Sequence, residues 1–113
     1  MTLQRHHFDR FEKRFDQYVS AAMAGQKNPR LCAILFNEGD ALSRGIEEDS
    51  QLLASVRCVM EAAEQVIRLA HVRGHAGFEA AKQRYNAAAS ELRRRFITRE
   101  KEAAAVAAAG DAP

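Results

Sequence analysis

The sequence predicts a small all-α protein, a helical bundle organised around a long hairpin of its third and fourth helices. Three observations predict it. Apolar side chains recur at spacings of three and four along four stretches, the pattern of a helix with one buried face. No stretch of useful length alternates in the two-residue rhythm of a strand. Alanine, which has no side-chain rotamer to fix in a helix, supplies 22 of 113 residues.

The first helix is expected over residues 3–24, where Phe8, Phe11, Phe15, Tyr18 and Ala22 form one stripe. Val19 and Met23 widen that stripe, and Arg10, Lys13, Arg14 and Gln17 lie opposite. Gly25 follows as a C-terminal cap. Asn28-Pro29 reads as the cap and first residue of a second helix, whose buried side is Leu31, Ile34, Leu35 and Leu42. Gly39 and Gly45 leave two readings there: one helix, or two short ones divided near Gly39 and Asp40. Glu47, Glu48 and Asp49 suit the N-terminal end of a third helix, expected over residues 47–73. Its broad inner face runs from Leu52 and Leu53 through Val56, Val59, Met60, Ala63, Val66 and Ile67 to Ala70. Gly74-His75-Ala76-Gly77 breaks the pattern as a hairpin turn. A fourth helix is expected over residues 78–105, with Phe78, Ala81, Tyr85, Ala88, Ala89, Leu92 and Phe96 inward. Residues 1–106 then form a single helical domain, and residues 107–113 a frayed tail. Such a hairpin sets Arg99 and Lys101 opposite Glu47, Glu48 and Asp49.

Leu, Ile, Val and Phe together make up only 24 of 113 residues. Alanine stabilises helices but buries little area, so the core available to one chain is thin. A dimer is the expected remedy. The net charge of +2 forces neither a nucleic-acid nor a membrane partner. The opening MTLQRHHFDRF is charged throughout, and no apolar run approaches the ~18 residues of a membrane span. Cys32 and Cys58 form no CxxC motif. Free thiols in a reducing, cytoplasmic setting are expected.

Few residues invite chemistry. His71, His75 and Glu79 are four apart and would line one face of an unbroken helix as metal ligands, but Gly74 and Gly77 interrupt it. Neither a phosphate-binding loop nor a nucleophile motif is present, and the expectation is a protein without enzymatic activity, metal or cofactor. Arg93-Arg94-Arg95, with Arg99 and Lys101, is the best nucleic-acid candidate. Consecutive helical residues point about 100° apart, so these arginines ring the helix and make no flat patch. Direct nucleic-acid binding is the lesser reading.

A second, narrower stripe on the third helix is more informative. Cys58, Ala62, Leu69 and Val72 point away from the main apolar face, which a helix buried on one side does not need. Ala80, Ala87 and Ala88 on the fourth helix are small enough to admit another helix, and Ile97 is also off its core stripe. Either the third helix is central and packed on two sides, or this stripe faces a partner or a sister subunit. On the second reading Cys58, Leu69 and Val72 touch the partner, with Glu61 and Arg68 on the rim. Leu69→Asp is then expected to abolish partner binding and leave helicity intact.

The aromatic first helix (HHFDRFEKRFDQY), the long helix SQLLASVRCVMEAAEQVIRLAHV and the Ala/Arg-rich FEAAKQRYNAAASELRRRF together resemble the small quorum-sensing anti-activators. The resemblance spans the chain but rests on no diagnostic motif, so it carries over no contact residue. It implies a homodimeric protein that binds the ligand-binding domain of a LuxR-type transcription factor. Binding would occupy the surface that factor uses to dimerise, and DNA binding would be lost. The alternatives are a nucleic-acid-binding helical module and a secretion or effector chaperone.

Overall fold

The computed structural model of the chain describes residues 3–44, 46, 48–72 and 76–110. They form four helices: α1 (Leu3–Met23), α2 (Pro29–Arg44), α3 (Ser50–Ala70) and α4 (Phe78–Gly110). The described residues contain no strand. Among the described residues no helix is long and apolar enough to cross a membrane.

Side chains and one glycine set the helix ends. Gly25 has φ of 83° and follows α1, where the amides of Gly25 and Gln26 donate back to the carbonyls of Ala22 and Ala21. That left-handed conformation favours glycine. The Asn28 side chain accepts the Leu31 amide at 3.0 Å and caps α2. Asp49 caps α3 by accepting the Leu52 amide at 3.0 Å. This cap, and not the acidic pair before it, starts the helix, so α3 begins later than the expected residue 47. It ends at Ala70, with His71 as its C-cap, short of the expected residue 73. The glycine-rich turn expected at 74–77 lies partly outside the described residues, although Ala76 and Gly77 are in a turn. Of the two readings of α2, the undivided helix is the one formed. At the other end of the chain α4 continues through Gly110, past the helix end expected at residue 105, because alanine sustains the helix.

Residue pairings fix the topology. Arg5 lies 2.8 Å from Glu100, Phe8 6.0 Å from Phe96 and Phe15 4.0 Å from Tyr85, centroid to centroid for the rings. Numbers rise along α1 as they fall along α4, so the two run antiparallel. On α1's other flank, His7 lies 3.2 Å from Glu38 of α2. Arg93 of α4 pairs with Glu12 of α1 and caps the Phe8 ring, 5.3 Å from its centroid. Gly39 of α2 is buried against the Met60 thioether of α3, and any Cβ there would collide with it. The atoms it would meet are the flexible end of the Met60 side chain, which has to shift to admit one.

The aromatics make up for the thin aliphatic core. Phe8, Phe11, Phe15, Tyr18, Tyr85 and Phe96 are all buried, alongside Leu35, Leu42, Leu52, Val56, Val59, Val66 and Leu92. A buried aromatic ring removes about 150–250 Å² from water, far more than alanine can. Met23 departs from its expected place: at 53% exposed it lies outside the stripe it was expected to widen. Leu31 and Ile34 are only half-buried.

Tyr85 makes one cost of this core visible. Its hydroxyl is buried without a hydrogen-bond partner among the described residues. Burial first, then the nearby Asp16 charge, raises its pKa far above the usual 10.0. The folded chain therefore holds this proton more tightly than the unfolded chain. The associated stability is fully present below about pH 10 and is lost as pH rises above it. Tyr85→Phe is expected to stabilise the protein by about 1 kcal/mol at neutral pH and to move alkaline unfolding to higher pH. Urea titrations followed by circular dichroism would show both. A clear loss of stability would mean that the hydroxyl is satisfied after all.

Candidate functional site

The inner faces of α3 and α4 close on α1 and α2, and no other described helix covers their outer faces. Between them runs an open groove. One stretch, of about 740 Å³, is lined by Cys58, Glu61, Ala62, Arg68 and Leu69 from α3 and by Ala80, Arg84 and Ala88 from α4, among others. It adjoins a second of about 570 Å³ that shares Cys58 and Ala88 and extends to Gln51, Ala54, Glu91 and Arg95. The groove exists because its floor is built of small residues. At Ala54, Cys58, Ala62, Ala80 and Ala88 no bulky side chain fills the space between the helix backbones. From Gln51 to Leu69 it follows α3 for about 27 Å at 1.5 Å per residue.

Four of the five residues expected to meet a partner line this groove: Cys58, Glu61, Arg68 and Leu69. Cys58, Glu61 and Arg68 are exposed, whereas Leu69 is half-buried and packs against the core. Val72 is not among the lining residues. It follows the α3 C-cap, is 51% exposed, and its amide donates to the Leu69 carbonyl. The stripe therefore ends one turn earlier than its sequence spacing indicated, because the helix does.

The rim is charged with both signs. Arg68 is paired with Glu64 at 2.7 Å. Glu91 accepts from Arg94 at 2.6 Å and from Arg95 at 3.1 Å. The hydrogen bond from Arg94, then the positive charges of both arginines, holds the Glu91 carboxyl below its usual range. All three consecutive arginines thus have carboxylate partners, counting Arg93 with Glu12. Glu12 and Glu91 offset two of the three positive charges of the run. Asp49 and Arg99 do come together at the far end of the hairpin, lining a common cleft. Glu47 lies outside the described residues.

A second concavity, of about 720 Å³, lies where α1, α2 and the end of α3 meet, between Tyr18, Cys32, Phe36 and His71. The Tyr18 hydroxyl is 2.7 Å from His71 Nε2. Burial, followed by the neighbouring Cys32, raises the Tyr18 pKa. Nothing in the sequence couples residues 18 and 71, which are distant along the chain and meet only through the fold. The metal reading of His71, His75 and Glu79 cannot be placed, since His75 lies outside the described residues. Among the described residues no three His, Cys, Asp or Glu side chains gather as a metal site.

Among the described residues, the groove lining has no histidine and no buried carboxylate pair. Its shape and lining suit the reception of a helix: a floor of small residues, a partly apolar wall at Leu69, and charges on both edges. Sequence reasoning found the α3 side of this groove from its periodicity. It missed Arg84, Glu91 and Arg95 as rim groups, because these positions become a rim only once α4 is laid antiparallel beside α3. Comparison with protein-family models, curated proteins and solved structures gives no match to this chain.

Proposed function

We propose that this chain is a non-enzymatic cytoplasmic regulator that binds the ligand-binding domain of a LuxR-type quorum-sensing transcription factor, blocking its dimerisation and DNA binding. The observation that carries the binding part is the open α3/α4 groove, which gathers Cys58, Glu61, Arg68 and Leu69 on one side of a hairpin whose other side is fully packed. The class of partner rests on the resemblance of the three helical segments to anti-activators. In this reading a helix of the transcription factor's dimerisation surface lies along the groove. The free regulator is a homodimer.

Mixing the purified chain with the ligand-binding domain of a LuxR-type regulator tests it. Light scattering coupled to gel filtration is expected to show a mixed complex in place of the regulator's own dimer. A gel-shift assay with the full-length regulator should lose its DNA band. No complex at about 100 µM, where an interaction worth roughly 5.5 kcal/mol would register, sinks the reading.

A further inference from the structure

Two pairs of groove-lining residues of α3 mirror each other about Cys58, while Ser55 and Glu61, three to either side, differ. Ala54 and Ala62 lie four residues to either side, and Gln51 and Gln65 lie seven to either side. Ala88 of α4 sits level with Cys58, since both border the two stretches of the groove. About Ala88, Arg84 lies four residues before and Glu91 three after.

We infer that a second copy of this chain covers the groove, packed about a two-fold axis that crosses α3 at Cys58 and α4 at Ala88. Such an axis runs α3 antiparallel to its counterpart and α4 antiparallel to its own. It sets Cys58 against Cys58, Ala54 against Ala62 and Gln51 against Gln65 of the other copy. The same operation sets Arg84 of each copy against Glu91 of the other. A two-fold interface requires a surface complementary to itself; the mirrored small residues supply one at its centre, and Arg84 meets the Glu91 carboxylate beside that group's own partners Arg94 and Arg95. The small residues let the backbones approach closely. Arg84, which is exposed and has no ion pair among the described residues, gains one. The interface offers about 27 Å of two helices on each side. This inference rests on the dimeric part of the proposed function and not on its transcription-factor part.

The test is a charge swap on the full-length chain. Sedimentation equilibrium is expected to show a dimer for the native protein. Arg84→Glu alone and Glu91→Arg alone should each weaken the dimer at least tenfold, because each sets like charges face to face twice. The double variant R84E/E91R should recover most of the loss. Independently, diamide takes up two electrons and two protons as two thiols join. It should cross-link the native dimer through Cys58, so the band persists in C32S and vanishes in C58S. A native protein that stays monomeric overturns both the dimer and its face. A dimer indifferent to both single swaps, or one without a Cys58 cross-link, overturns the face alone.

Discussion

Phe15→Ala is expected to destabilise the protein by about 3–5 kcal/mol. Phe15 is fully buried, stacks on Tyr85 with centroids 4.0 Å apart and lies 6.3 Å from Phe11. It is the middle link in the aromatic chain that joins α1 to α4. Domains of this size have about 5–15 kcal/mol in total, so the variant is left with little or no folded population above room temperature. The neighbours cannot collapse into the space. Tyr85 is held on a helix that is anchored at Phe96 and Arg93. A urea titration should show the midpoint drop with little change in slope. A loss under about 1 kcal/mol would mean that the core relaxes around the gap and that the aromatic chain is not its main support.

The dependence on these rings explains how much of the fold was legible. The α1 stripe could be read directly, because five residues at spacings of three and four have no other economical arrangement, and all five are buried. The inner faces of α3 and α4 were legible for the same reason. The limits lay where one polar side chain decides. Asp49, by accepting one amide, moves the start of α3 past Glu47 and Glu48, and composition alone treats those three acids alike. Met23 continues the periodicity of α1 but is the last residue of that helix and 53% exposed, so the pattern placed it inside and the fold leaves it out.

The groove was half legible by the same logic. Cys58, Ala62 and Leu69 show up as a stripe because they share a helix. Arg84 and Glu91 do not, because their role depends on how two helices are paired. Distant polar partnerships such as Glu12 with Arg93, or Tyr18 with His71, leave no trace in spacing at all. Those partnerships bear on the functional reading, since an arginine run that looks wholly available in the sequence has two carboxylates against it in the structure.

Cys58→Arg is the substitution expected to separate folding from binding most cleanly. Leu69→Asp, the change first suggested by the α3 stripe, strikes a half-buried side chain that packs on the core, so lost binding and lost stability would be confounded. Cys58 is exposed on the groove floor, and a long cationic side chain there has solvent to enter. The effect on stability should stay within about 0.5 kcal/mol. Anything laid along the groove must then either bury that charge or stand off by its length. Burying an unpaired charge at an interface costs several kcal/mol, so capture of a LuxR-type ligand-binding domain should fall by at least a hundredfold, about 2.7 kcal/mol. Calorimetric titration beside a thermal melt of the same preparation checks both halves. A variant that melts normally and still binds at full strength would show that the partner meets some other face, and the groove would lose its claim as the site.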